Sequence, residues 1–260
     1  MRLVDTIRFM TLSPGERMLG SLAGLSVGDA FGQRFFYQAI VDEYLESESL
    51  PPGPWSWTDD TLMALSIVVT LLESATVDQD ALALSFGKRF EGTRGYGQAM
   101  HRLLALYAIG ADWRFEAPQL FGGQGSFGNG AAMRIAPLGA FFADDLDRVV
   151  VEAERAAEVT HAHPEAIAGA IAVAVAAGAA ATGELSDPTR FVEAVLERTP
   201  DSEVRDRLER IERITPTSSL SYAVTLLGNG SRITAQDTVA FCIWVASQHL
   251  GDYRAAMWQT

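Results

Sequence analysis

The run from Ala166 to Ala181 is the longest apolar stretch in the chain and is built mostly of alanine and glycine. A membrane span needs about 18 or more residues of greater hydrophobicity. The run therefore predicts a central buried helix, whose small side chains let neighbouring helices come close. Helical periodicity recurs on both sides of it. Residues 16–31 place Met18, Leu19, Leu22, Leu25 and Ser26 along one side, and residues 58–73 carry a stripe of Leu62, Leu65, Val69 and Leu72. Further helices are expected at 78–91, 96–109, 129–142, 146–159, 164–182, 188–198, 202–213 and 235–249, and residues 251–260 read as a helix without a C-cap signal. Alternating strand patterns are absent, with Ser231-Arg-Ile-Thr234 a poor best candidate. The expected fold class is all-α, as a single compact orthogonal helical domain. The chain has 260 residues and neither internal repeats nor a low-complexity linker, which favours one domain over 1–260.

Charge narrows the partners. The net charge is −13, and no clustered run of Lys and Arg occurs. Nucleic acid and anionic membranes are thus excluded as expected partners. A small phosphate-bearing ligand stays open, because backbone N–H groups bind anions without basic side chains. So does an acidic pocket for a divalent cation. The one cysteine, Cys242, lies in an apolar run and reads as an inert core thiol. No charged-then-apolar leader opens the chain, so the expected location is cytoplasmic.

The segments 47–57, 112–128 and 226–231 are rich in Gly, Pro, Asn and Trp and read as loops, where sites usually sit. Thr58-Asp-Asp-Thr61 enters a strongly apolar helix. Thr58 suits an N-cap, and Asp59 and Asp60 suit the positive end of the helix dipole. The same oxygens suit Mg²⁺ or Mn²⁺. Residues 123–128 match G-x-G-x-x-G, yet no strand precedes them and no parallel sheet follows, so the dinucleotide reading lacks its context. What remains is a glycine-rich loop able to expose N–H groups to a diphosphate, or a structural turn. His161 and His163 are spaced unlike a helical zinc pair; they read as a polar cap, or as a ligand contact. Gly228 to Thr238 reads as a turn and a helix start.

In order along the chain, Gly20-Ser-Leu-Ala-Gly-Leu-Ser-Val-Gly-Asp-Ala-Phe-Gly32, Trp57-Thr-Asp-Asp-Thr61, Gly125-Ser-Phe-Gly-Asn-Gly-Ala-Ala-Met-Arg134 with Pro137, and Thr160-His-Ala-His-Pro164 resemble the ADP-ribosylglycohydrolase family, which includes the dinitrogenase-reductase-activating glycohydrolases. The resemblance spans about residues 15 to 250. It implies an all-α fold and a magnesium-dependent hydrolase that cleaves the N- or O-glycosidic bond between ADP-ribose and a protein side chain or small acceptor. By resemblance, Thr58, Asp59 and Asp60 are metal ligands, with Asp59 and Asp60 catalytic. Gly125, Ser126, Phe127, Gly128 and Asn129 cradle the diphosphate and ribose, and His161 touches the ligand. The cofactor is Mg²⁺ or Mn²⁺, and the partner is an ADP-ribosylated protein or a small ADP-ribose conjugate.

The chain departs from the family pattern twice. Members carry a glutamate just after the first glycine-rich stretch, whereas Ala30 to Val41 holds no acid, and Gln33 and Phe36 lie where it would be sought. Members also carry a late Gly-Asp-x-Asp-Thr motif, which is not found before Thr260, so the sequence is expected to lack the family's C-terminal metal-binding segment. Asp237 and Asp252 are the candidate substitutes. A catalytically impaired ADP-ribose-binding protein of the same fold is therefore the alternative function, and a helical interaction protein a third.

Overall fold

The computed structural model describes residues 12–36, 41–184 and 186–260. Alanine and glycine give its longest buried helix almost no side-chain girth, so other helices reach its backbone. That helix, α10 (Pro164–Thr182), is wrapped by α8 (Ala136–Phe141), α9 (Leu146–Glu158), α11 (Pro188–Arg198) and α14 (Ala235–Gln248). A Cβ on Gly139 of α8 would lie 1.9 Å from the carbonyl oxygen of Ala174, and one on Gly169 would lie 2.9 Å from the Ala235 side chain. Only glycine permits these two crossings. By length and composition α10 passes for a membrane span, yet most of it is buried against its neighbours, as a core helix is.

The remaining elements are α1 (Pro14–Gly32), α2 (Val41–Ser47), α3 (Asp59–Ser74), α4 (Gln79–Arg89), α5 (Gln98–Ala108), α6 (Trp113–Glu116), α7 (Leu120–Gly123), α12 (Glu203–Glu209), α13 (Leu220–Leu227) and α15 (Tyr253–Gln259). Short polar side chains start many of them. Ser13, Asp78, Asp145, Asp187, Ser202, Ser219 and Asp252 each accept a backbone N–H of the first turn. Ser13 forms a reciprocal capping box with Glu16.

Three expectations need correction. The helix expected over 129–142 is broken into a 3₁₀ turn, Asn129–Ala131, and α8. Pro137 has no N–H to donate and is tolerated only in a first turn, so a new helix starts around it. In α3 the stripe of Leu62, Leu65, Val69 and Leu72 is only partly the buried face: Leu62 is buried, but Leu65 is 36% exposed and Leu72 63%, while Met63, Ile67 and Leu71 are buried. This helix is apolar nearly all round, so its sequence does not fix its inward side. The third lies at 202–213, where the α-helix ends at Glu209 and tightens to 3₁₀ over Arg210–Arg213. Helices α2 and α13, and the short α6 and α7 inside an expected loop, carried too few turns to be legible. Among the described residues there is no strand. Ser231 to Thr234 supplies one isolated antiparallel bridge, Gly128 with Thr234.

Candidate active site

The start of α3 is bound to the end of α1. Thr58 is the N-cap and its hydroxyl accepts from the Asp60 N–H at 3.4 Å. Its own N–H and hydroxyl donate to the two Asp29 carboxylate oxygens at 2.7 and 2.6 Å. One turn on, the Thr61 N–H and hydroxyl donate to Asp29 Oδ2 at 3.2 and 2.6 Å. The Asp59 N–H donates to the Arg94 carbonyl at 2.8 Å. Asp29 thus accepts four hydrogen bonds and fixes the helix entrance.

This entrance concentrates negative charge. Burial, and then repulsion from Asp29, push the Asp59 carboxyl up to about 6. Burial, then Asp59 and Asp29, push Asp60 up to about 7. Among the described residues none of the three carboxylates forms an ion pair with Lys or Arg. Three partly buried carboxylates without a basic partner repel one another, and hard oxygen donors of this kind suit Mg²⁺ or Mn²⁺. Thr58, Asp59 and Asp60 therefore fit a divalent cation in donor type, with water completing the shell as Mg²⁺ commonly allows. They do not form a closed cage: among the described residues no three His, Cys, Asp or Glu side chains converge as ligands.

The glycine-rich loop is shaped by its glycines. Gly122, Gly123 and Gly125 have φ of 72°, 89° and 75°, and a Cβ on Gly125 would lie 2.8 Å from the His163 nitrogen. A second loop clasps it from the far end of the chain. The Asn129 N–H donates to the Ile233 carbonyl at 3.2 Å, the Ala235 N–H donates to the Phe127 carbonyl at 3.0 Å, and Asn129 Nδ2 donates to Thr238 Oγ1 at 3.2 Å. These bonds revise the expectation that the whole loop offers free N–H groups. Those of Gly125, Gly128 and Asn129 are taken by Leu120, the Ser126 hydroxyl and Ile233. The N–H groups of Ser126 and Phe127 have no acceptor among the described residues.

His161 and His163 divide the two readings of their segment. His163 is the N-cap of α10, its Nδ1 accepting from the Glu165 N–H at 3.1 Å, and its ring packs edge-on to Phe127 with centroids 5.4 Å apart. His161 is buried with its ring against Gly128 and Gly130; a Cβ on Gly130 would lie 2.7 Å from Nε2. Behind it, Thr160 Oγ1 lies 2.7 Å from His161 Nδ1. Arg134, fully buried, donates to Thr160 Oγ1 at 2.8 Å and to the Ala156 carbonyl at 3.0 Å. Its guanidinium lies 4.5 Å from the Phe86 ring centroid and 3.7 Å from Met63 Sδ, one turn beyond Asp59. Arg134 thus joins the α3 entrance to the histidine beside the loop.

Three residues of this arrangement carry no role in the sequence reading: Asp29, Arg134 and Thr160. Each lies inside a quoted motif, which was the available signal. The proposed substitutes for the late acidic motif are otherwise engaged. Asp237 lies 3.4 Å from Arg207 Nη1 and accepts the Arg232 N–H at 3.1 Å; Asp252 caps α15. At the site of the missing glutamate, Phe31 and Phe35 stack with Trp258, and Trp55 joins Phe31. Residues 37–40 lie outside the described residues.

The sequence profile of the ADP-ribosylglycohydrolase family matches residues 10–260. The chain is 30% identical to the ADP-ribosylhydrolase ARH3 of Gallus gallus, over 89% of this chain and 73% of that protein, and 31% identical to the ARH3 of Homo sapiens, over 86% and 68%. An uncharacterized protein of Archaeoglobus fulgidus is 30% identical over 88% of this chain and 76% of its own length. Among solved structures, a chain described as an ADP-ribosylglycohydrolase-related protein complex superposes with a TM-score of 0.67 at 26% identity, covering 95% of this chain and 80% of that one. The helical fold, the ordered motifs and these matches agree, and the chain belongs to the ADP-ribosylglycohydrolase family, an enzyme of the glycosidic-hydrolase kind.

Proposed function

We propose that this protein hydrolyses the N- or O-glycosidic bond joining ADP-ribose to a protein side chain or small acceptor, and that Thr58, Asp59 and Asp60 hold a Mg²⁺ or Mn²⁺ ion for that reaction. The observation that carries the reading is the partly buried group of three carboxylates at the start of α3, which has no Lys or Arg partner among the described residues, with Arg134 packed on Met63 one turn along and bonded to Thr160 beside His161. When bound, the ion supplies charge that orients ribose hydroxyls and acidifies a water.

The chain's own groups do the rest. Asp29 holds Thr58 and Thr61 so that the α3 entrance keeps one shape. Ser126 and Phe127 present N–H groups suited to diphosphate oxygens. Asp59 and Asp60, when ionised, supply negative charge of the kind that stabilises an anomeric carbon with oxocarbenium character.

The second reading, an ADP-ribose-binding protein without turnover, is favoured by one observation: both Asp29 oxygens are already taken by threonine donors, leaving fewer carboxylate oxygens for an ion. Calorimetric titration of ADP-ribose with Mg²⁺ and again with EDTA, followed by assay of ADP-ribosylated protein, separates the two. Metal-dependent binding with turnover that Asp60→Ala abolishes supports the hydrolase. Binding indifferent to EDTA, without release of ADP-ribose, supports the binder. No binding in either buffer removes both.

A further inference from the structure

Arg134 is a buried cation without a carboxylate partner among the described residues, and one assignment of the hydrogen bonds around it leaves no buried hydroxyl hydrogen unpaired. A guanidinium has donors and no acceptor, so Thr160 Oγ1 must accept from Arg134 Nη2 at 2.8 Å. That leaves the threonine hydroxyl hydrogen. It has no other acceptor among the described residues, and a buried hydroxyl left unsatisfied is rare. His161 Nδ1 lies 2.7 Å away. The hydroxyl therefore donates to Nδ1, and Nδ1 carries no hydrogen. The proton of a neutral ring must then sit on Nε2.

Nε2 is the atom that faces the loop. It lies against Gly128 and Gly130, where an added Cβ would come within 3.6 and 2.7 Å of it, and it has no hydrogen-bond partner among the described residues. Burial and the nearby Arg134 charge push the ring's pKa down to about 3, in keeping with a neutral imidazole.

We infer that Thr160, anchored by Arg134, is a positioning residue that locks His161 as the neutral Nε2–H tautomer, so that this N–H serves as a directed donor to a ligand diphosphate held by Ser126 and Phe127. The donor role rests on the ADP-ribose reading proposed above; the tautomer rests on the hydrogen-bond directions alone. Arg134 acts by fixing which way the Thr160 hydroxyl points. A cationic histidine would attract phosphate more strongly, but the lock gives selectivity of direction: the site offers one N–H, at one place, at any pH near neutral.

The test is nitrogen NMR of the full chain carrying ¹⁵N-labelled histidine. There are four histidines, and a His161→Gln variant assigns the resonance. The expected spectrum of the ligand-free protein is that of a single Nε2–H tautomer. Thr160→Val, which keeps the shape and removes the hydroxyl, is expected to give a mixed tautomer and to weaken ADP-ribose about tenfold, near 1.4 kcal/mol. Thr160→Ser is expected to restore both. Because Arg134→Met removes a fully buried side chain and endangers folding, the Thr160 pair carries the test. An Nδ1–H or averaged signal in the wild type, or a Thr160→Val spectrum unchanged from it, overturns the lock. ADP-ribose binding that leaves Nε2 unperturbed overturns the donor role. Absence of any ADP-ribose binding overturns the functional reading and the donor role with it, while the ligand-free spectrum still decides the tautomer.

Discussion

Asp29 Oδ1 accepts the Thr58 hydroxyl at 2.6 Å, so a side chain near the end of α1 sets the first residue of the acidic entrance to α3. The Asp29 carboxylate also takes the N–H of Thr58 and both donors of Thr61. Asparagine can keep only part of this set, since its amide nitrogen is a donor. Asp29→Asn is expected to lower unfolding stability by about 2 kcal/mol, the scale of lost charge-assisted bonds at a partly buried site. Urea denaturation measures it; an unchanged midpoint would show that the entrance holds without Asp29.

A divalent cation bound at this entrance would relieve the repulsion among Asp29, Asp59 and Asp60. Saturating Mg²⁺ is expected to raise the melting temperature by about 5 °C, from about 2.7 kcal/mol of linkage at a hundredfold excess over Kd. In Asp60→Ala the rise should vanish. Scanning calorimetry with Mg²⁺ and with EDTA decides this, and an equal rise in both proteins would place the ion elsewhere.

Gly130 has no room for a side chain: a Cβ would lie 2.7 Å from both Cε1 and Nε2 of the buried His161 ring. Gly130→Ala should displace that ring and cost about 1 to 3 kcal/mol of stability, as overpacking does. ADP-ribose affinity should fall about tenfold or more. Calorimetry on the folded variant checks it, and wild-type affinity would remove His161 from the ligand contact.

The depressed His161 pKa fixes a sign for acid stability. The unfolded histidine binds a proton near 6.5, whereas the folded one resists protonation down to about 3. The unfolded state then holds more protons, so this contribution is complete above 6.5 and is lost as pH falls below it. The expected slope is about 1.4 kcal/mol per pH unit between pH 6 and 4. Urea midpoints for wild type and His161→Gln across that range should converge as pH falls; parallel curves would refute the buried neutral ring.

Much of this was legible in sequence, for definite reasons. The Ala/Gly run announced α10 because nothing else at that length is so free of bulk, and Gly139 and Gly169 supply the close crossings such a run allows. Thr58 and Asp60 were legible because an N-cap is a local signal. Asp29 was not, since its partners lie about thirty residues on and no local pattern reports a long-range bond. Nor could the pairing of Asn129 with Ile233 be read, because one backbone bridge leaves no periodicity. The inward face of α3 is legible only at Leu62, because its apolar residues surround the axis and packing against α1, α4 and α8 chooses the side.

The clasp between Gly128 and Thr234 carries a consequence for the order of events during synthesis. Its two halves are separated by about a hundred residues, so closing it requires a long loop to be drawn shut. A growing chain that has emerged only as far as α10 already owns the acidic entrance, the glycines and both histidines of the site. It still lacks Ile233, Ala235 and Thr238, the three residues that bond Phe127 and Asn129. The loop thus takes its clasped form late in the life of the nascent chain, when α14 docks on α10.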